Sequence, residues 1–438
     1  MKLLIYIAVL MLGFAPGVFG QDKKAWTLAD CIDYAIANNI TIKQSEFDKK
    51  SAEVTLTQSK YSRFPSLSAS ASQNMNDGTS IDPITSNFVS QLVHSTSVGV
   101  TAQVTLYNGN YINNTIKQNE LLIAQNEFFV SEARNNIILS VTQAYLQALY
   151  YKEGITVAEN AMASSTEQVS QAGKRYKAGS IAGIDVADLQ TQLSNDQYSL
   201  VTAKNNFRQQ LITLKQLLEL DPMADFEIAT PLLPESEMVV PNLKEVYTTA
   251  AATMPEVKSA KLQTDISAYD LKKAKAGYLP TLSLYAGINS GYTNTQNFNF
   301  ATQLDNNFYQ SAGLSLSVPI FSRYQNKGAV EQAKISIEQS KLTALSTTKQ
   351  LYLKIESAWQ NAVSVQSEMQ AAEALQSSSK IAFEMARKKA GLGALSATDL
   401  LVSKNTYLSA QQKYLQTKFS NALYYQLLQF YQGNAIKI

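Results

Sequence analysis

Residues 98–109 read VGVTAQVTLYNG, and 214 positions further on residues 312–323 read AGLSLSVPIFSR. Val98, Val100, Ala102, Val104 and Leu106 alternate with Gly99, Thr101, Gln103 and Thr105. Ala312, Leu314, Leu316, Val318 and Ile320 alternate with Gly313, Ser315, Ser317 and Pro319. A period of two sets one face of a strand in an apolar medium and the other in water. Leu67, Ala69 and Ala71 alternate with serines in the same way, and Leu282, Leu284, Ala286 and Ile288 with Ser283, Tyr285, Gly287 and Asn289. Strands of about ten residues with a small, polar second face suit a membrane barrel with a wet lumen. Four such strands do not close a barrel, and an open edge in lipid leaves backbone groups unpaired at several kcal/mol each. The strands are therefore expected to pair with further copies of the chain.

The likeness of the two quoted stretches extends along the chain. Phe64-Pro65-Ser66-Leu67-Ser68 pairs with Leu279-Pro280-Thr281-Leu282-Ser283, and Gly179 with Asp185 pairs with Gly393 with Asp399. This predicts two copies of one unit, 21–220 and 243–433, each a helix, two strands and a long helical hairpin. A proline-rich connector, 221–242, joins them, and a short tail, 434–438, follows. No proline lies between Pro83 and Pro222, and none follows Pro319. Those proline-free stretches are rich in Ala, Gln, Leu, Ser and Lys and read as long amphipathic helices. From Gly109 to Gly179 an unbroken helix would reach roughly 105 Å. Gly179 and Gly393 then mark hairpin turns between antiparallel helices. The Asn/Ser/Thr-rich stretches 73–95 and 289–310 read as loops at the far ends of the strands.

Composition narrows the function. The 438 residues carry a formal net charge of +2 and no long basic run, which argues against a nucleic-acid surface. Cys31 and His94 are the only residues of their types, so no intrachain disulfide, multi-Cys metal site or His-centred catalysis is expected. No catalytic, cofactor or metal-binding constellation is found. Lys2, the apolar run from Leu3 to Leu12 and the small residues before Gln21 read as a secretory signal, 1–20.

The chain resembles the TolC-like outer-membrane efflux proteins. The marks are Trp26-Thr27-Leu28 followed by Ala35-Ile36-Ala37-Asn38-Asn39, the two strand openings at Pro65 and Pro280, Leu106-Tyr107-Asn108-Gly109 and the two hairpin tips. The resemblance implies an α+β membrane protein, a homotrimer in which four strands per chain close one barrel continued by an antiparallel α-helical barrel. It implies an exit duct in the outer membrane of a Gram-negative bacterium. The expected partners are a periplasmic adaptor and an inner-membrane pump of the RND, ABC or MFS type.

The tips, 178–188 and 392–399, would then form the periplasmic entrance. Asp185 and Asp188 share one helix face and would stack as two carboxylate rings that favour cations. Capping is the competing account, with Asp185 and Ser396 as N-caps and Asp188 and Asp399 in the first turns. The resemblance matches the family's gating Asp to Asp185 and a second-tip Asp to Asp399. Leu395 and Ala390 stand where the tethering Arg and Tyr are expected, and Val402 where a further acid is expected. Gly179, Gly183, Gly391 and Gly393 are candidate adaptor contacts. Phe64, Tyr107, Tyr278 and Phe321 flank the strands as an interfacial aromatic girdle would. A secreted or periplasmic coiled-coil scaffold explains the helices but not the strands.

Overall fold

A computed structural model of the chain describes residues 25–231 and 239–436; the expected signal, 1–20, lies outside the described residues. Two short helices, α1 (Leu28–Asn38) and α2 (Ile40–Tyr61), lead into β1 (Ser66–Asn76), β2 (Thr79–Ile81), β3 (Phe88–Ser90) and β4 (Val93–Asn108). The long helices α3 (Tyr111–Lys177) and α4 (Gly183–Leu218) follow. The same order then recurs: α5 (Leu243–Thr253), α6 (Pro255–Ala276), β5 (Thr281–Thr293), α7 (Phe300–Asn306), β6 (Tyr309–Ser317), α8 (Gln325–Gly391) and α9 (Ala397–Tyr431). Helices α3 and α8 each have 67 residues, roughly 100 Å at the α-helical rise. Among the described residues no helix is long and apolar enough to cross a membrane.

Packing divides the chain across these repeats. Of the described residues, one compact unit takes those within Met1–Asn39, Asn136–Asn242 and Ser357–Ile438, the other Ile40–Asn135 and Leu243–Glu356. In the first unit, α1 opens on a capping box. Thr27 Oγ1 accepts from the Asp30 N–H at 3.1 Å, and the Thr27 N–H donates to the Asp30 carboxylate at 3.0 Å. This fixes the entry of α1, whose Leu28, Cys31 and Ala35 pack against Tyr145, Leu146 and Leu149 of α3, Leu214 and Leu218 of α4, and Phe419 of α9. Tyr145 is fully buried, and its hydroxyl lies 3.0 Å from Trp26 O and 2.9 Å from Ala229 O. It thereby ties the start of the chain to the connector. Among described residues, that connector has no helix or strand beyond the single bridge Trp26–Ile228.

The second unit holds a four-stranded antiparallel sheet of order β1-β4-β5-β6, so the strands from the two repeats join at β4–β5. Register carries the alternation across all four strands. Leu67, Ala102, Ala286 and Ala312 lie in one row, and Ala69, Val100 and Ile288 in the next. Ser68, Thr101, Gly287 and Ser311 form a row of the opposite face, as do Ser66, Gln103, Tyr285 and Gly313. Gly313 has no Cβ because the Tyr285 ring lies over it; a Cβ there would fall 2.4 Å from the Tyr285 hydroxyl. Leu106 is an extra residue between Thr105 and Tyr107, which pair with Ser283 and Leu282.

Three sequence expectations are corrected. β6 ends at Ser317 and not at Ile320, since Pro319 has no N–H to give to a ladder. The stretches read as loops are largely ordered: β1 reaches Asn76, β4 begins at Val93, β5 reaches Thr293, and β2–β3 and α7 lie between. His94 is accordingly inside β4 and half-buried. Asp82 organises this end. It is buried, and its carboxylate accepts from the Ile84 and Thr85 N–H groups at 2.8 and 3.0 Å and from the hydroxyls of Thr293 and Thr295. Each repeat also starts with two helices and not one, because the chain turns extended at Asn39 and Met254.

Cys31 lies at the centre of the first unit. Burial, with the nearby Asp30 charge, pushes its thiol up to about 12. The thiol is therefore protonated at any ordinary pH. The native protein is expected to resist maleimide at pH 8 and to react stoichiometrically after denaturation, as read by mass spectrometry. Rapid labelling of the native protein would show that α1 is not packed as described.

Candidate functional site

The two hairpin tips are built alike. α3 closes with Ser180 N–H on Arg175 O and Gly179 N–H on Tyr176 O, both at 2.9 Å. α8 closes with Ala394 N–H on Lys389 O at 2.9 Å and Gly393 N–H on Ala390 O at 3.1 Å. This is the six-to-one and five-to-two bonding of a Schellman motif, which needs a left-handed residue. Gly179 at φ 74° and Gly393 at φ 80° supply it. Gly183 begins α4 and Gly391 ends α8, both outside the left-handed region.

The returning helices are capped differently. At α9, Ser396 Oγ accepts from the Asp399 N–H at 3.1 Å and donates to the Asp399 carboxylate at 2.7 Å. At α4 the N-cap is Ala182, not Asp185. Asp185 is instead the third helical residue, and its carboxylate accepts from the Ala182 N–H at 3.3 Å. The helix starts at Gly183, three residues earlier than an Asp185 cap would place it. Asp188 is half-buried and makes no hydrogen bond or ion pair among the described residues.

Between the tips lies a cleft of about 550 Å³ lined by Gln168, Arg175, Asp185, Arg387, Asp399 and Leu400, among others. It brings Asp185 and Asp399 to one site together with Gly391 and Gly393, while Asp188 and Gly179 lie off it. Arg175 crosses it: its guanidinium donates to the Ala390 carbonyl at 2.5 Å. A tether between the hairpins therefore exists where the sequence offers Ala390 and Leu395, but it comes from the first hairpin. Buried Gln168 on the cleft wall has an Oε1 with no partner among the described residues.

One helical turn above the cleft, Lys404 of α9 is 1% exposed. Its ammonium meets the Asp196 carboxylate of α4 at 2.5 Å, Ala161 O of α3 at 3.1 Å, and the Ser165 hydroxyl. Ser165 Oγ in turn donates to Asp196 at 2.5 Å, and Gln192 Nε2 donates to the other carboxylate oxygen at 2.9 Å. The sequence reading missed Arg175, Asp196 and Lys404. Arg175 sits in a last turn where the helix dipole already accounts for bases. Lys404 and Asp196 lie 208 residues apart, and only tertiary contact pairs them.

Acids alone do not set the tip charge. Lys174, Arg175 and Lys177 precede Asp185 and Asp188, and Arg387, Lys388 and Lys389 precede Asp399. Six bases thus stand against three acids. Phe64, Tyr107, Tyr278 and Phe321 are all exposed, each at a junction between strand and helix.

An exposed apolar sheet joined to two duplicated, very long helical hairpins defines the structural class. The chain belongs to the outer membrane efflux protein family, whose profile matches residues 31–219 and 246–431. It is 24% identical to the alkaline protease secretion protein AprF of Pseudomonas aeruginosa over 71% of this chain and 64% of AprF. It is 21% identical to the outer membrane protein TolC of Escherichia coli K12 over 94% of this chain and 83% of TolC. Among solved structures, the Campylobacter jejuni CmeC outer membrane channel superposes with a TM-score of 0.79 at 19% identity, covering 93% of this chain and 85% of that one. VceC of Vibrio cholerae does so with a TM-score of 0.77 at 16% identity, covering 94% and 97%.

The tip glycines are expected to differ on substitution. Gly393→Ala forces a Cβ into a left-handed turn beside Arg175 and should cost about 1 kcal/mol or more locally. Gly391→Ala meets open space at a helix end and should stabilise by up to about 1 kcal/mol. Trypsin cleavage at Lys388 and Lys389 should be faster in the first variant and slower in the second. Equal rates would refute the turn assignment.

Proposed function

We propose that this chain is one protomer of a homotrimeric exit duct, a passive conduit that crosses the outer membrane and the periplasm and performs no catalysis. One observation carries the reading. The sheet's apolar face is exposed, with Leu67 at 74% and Leu314 and Leu316 at 65% each, while among the described residues both edge strands, β1 and β6, are unpaired on their outer sides. Each such side chain gains about 1.5–3 kcal/mol on leaving water. Lipid takes the apolar face, and β6 of one copy pairs with β1 of the next, so that the Ser/Thr/Gln face lines a wet lumen. A coiled-coil scaffold gives no use to that sheet.

Phe64, Tyr107, Tyr278 and Phe321 then mark the inner membrane–water boundary. The sequence repeats 21–220 and 243–433 contribute two strands and one hairpin each. The hairpins line the periplasmic conduit, and their tips, with Gly179, Gly183, Gly391 and Gly393, meet a periplasmic adaptor. An inner-membrane pump of the RND, ABC or MFS type supplies the energy and selects the cargo. AprF is named for protease secretion and TolC for no cargo, so one fold accompanies different names.

At the entrance Asp185 and Asp188 offset part of a basic tip. Asn at both positions keeps an acceptor oxygen for the Ala182 N–H and removes two charges per chain. The double variant is expected to insert into planar bilayers as a channel of unchanged conductance class. Its reversal potential in a KCl gradient should shift toward anion preference. An unshifted reversal potential would confine both residues to helix stabilisation, and no channel from the unaltered protein would refute the duct.

A further inference from the structure

The charges of the sheet-bearing unit are distributed unevenly along its strands. Four segments meet where strands give way to helices: 58–64, 109–118, 271–280 and 318–330. They hold two, one, three and two Lys or Arg in turn, eight in all, and no Asp or Glu. Seven of these bases are exposed. The eighth, Lys273, is half-buried and paired with Asp270 at 2.8 Å. The strand segments between carry no charge, and their far ends, 73–97 and 289–311, hold Asp77, Asp82 and Asp305 but no Lys or Arg. A solvated helix face normally mixes signs, as Lys341 and Glu338 do further along α8 at 2.8 Å. The junctions do not.

Contacts between the junctions join all four into one collar. The Arg63 guanidinium donates to Asn113 Oδ1 at 2.8 Å. A Cβ on Gly109 would fall 2.9 Å from the Leu279 Cβ, and the Asn326 amide donates to Gly277 O at 2.5 Å. Bases alternate with exposed aromatics here: Arg63 precedes Phe64, Lys275 lies three residues before Tyr278, and the Lys327 ammonium sits 5.3 Å from the Tyr324 ring centroid.

The duplication singles out one place on the collar. Gly109 and Asn110 have φ of 65° and 64°, a left-handed turn that glycine and asparagine accept readily. Their repeat equivalents, 214 positions on, are Arg323 and Tyr324, held at 47° and 68°. Two consecutive bulky residues in that region are strained, where the first repeat shows that the turn can be made without strain. The strain keeps a cation and an aromatic ring exposed at the strand end, beside exposed Phe321.

We propose that this collar is a binding surface for the headgroups of anionic glycerophospholipids, with Arg323, Tyr324 and Lys327 as its most specialised part. Clustered Lys and Arg at the edge of an apolar, lipid-facing surface attract anionic headgroups, and amphipathic aromatics seat at the same depth. The collar continues the exposed apolar face of the sheet, so a lipid can lay its chains on the strands and its phosphate on the bases. The far end offers a phosphate no Lys or Arg. This rests on the duct reading, which sets the collar at the periplasmic side of the membrane.

The test is native mass spectrometry of the detergent-solubilised full chain, titrated with phosphatidylglycerol or with phosphatidylcholine of the same acyl chains. The unaltered assembly is expected to retain phosphatidylglycerol at a lipid concentration lower by on the order of tenfold. Arg323→Gly with Lys327→Gln should reduce that preference to under about threefold. Arg323→Gly restores the first repeat's glycine and relieves the turn, so a purely structural role predicts a stable protein with its preference intact. Lys349→Gln with Lys380→Gln, two exposed charges far along α8, should leave the preference unchanged. If the first variant does not assemble, Lys275→Gln with Lys327→Gln removes two exposed charges without touching the turn, and should weaken the preference in the same direction. Equal retention of the two lipids by the unaltered protein, or a preference that survives the collar variants, would overturn the proposal. The same spectra give the mass of the assembly, so a monomer counts against the duct while the lipid preference is judged separately.

Discussion

The backbone hydrogen bonds at the two edges of the four-stranded sheet dictate the rest of the structure. Among the described residues, β1 and β6 are each bonded on one side only. In water those free groups would be solvated, but the sheet's Leu, Ala and Val face is made for a medium without water. In hydrocarbon each unpaired group costs several kcal/mol. On the proposed reading, a chain with this sheet reaches its lowest free energy beside other copies of itself. Exposed Leu67, Leu314 and Leu316 are, on this account, buried surface whose partner is lipid.

The helices solve a different problem. A wall built from 67-residue helices has little depth to bury and must present polar groups to water. Its cohesion accordingly mixes small apolar residues with buried amides and hydroxyls. Gln118 Nε2 donates to Ile266 O at 3.1 Å, Gln125 Nε2 to Ser259 O at 3.2 Å, and Ser267 and Ser340 hydroxyls meet at 2.8 Å. Near the tips this reaches its limit in the Lys404–Asp196 pair. Polar contacts of this kind are directional, so they set register where a smooth apolar seam would let long helices slide.

Much of this was legible in the sequence because it rests on short-range rules. Alternation at 98–106 gave strand and face, missing prolines gave the long helices, and Gly179 and Gly393 gave the turns. Errors arose where one local rule overrode another. Pro319 ended β6 despite continued alternation, and Gly183 began α4 ahead of Asp185. The polar stretches 73–95 and 289–310 looked like loops because Asp82, Thr293, Thr295 and Gln303 satisfy one another only in three dimensions. Lys404 was invisible for the same reason: along the chain it is an ordinary helical lysine.

The central claim is that the sheet is incomplete in a single copy. Its most direct test is the mass of the detergent-solubilised protein by light scattering, with β content followed by circular dichroism as the assembly is heated. The account predicts a trimer whose β signal is lost together with its dissociation. A monodisperse monomer that keeps its full β signal would contradict it.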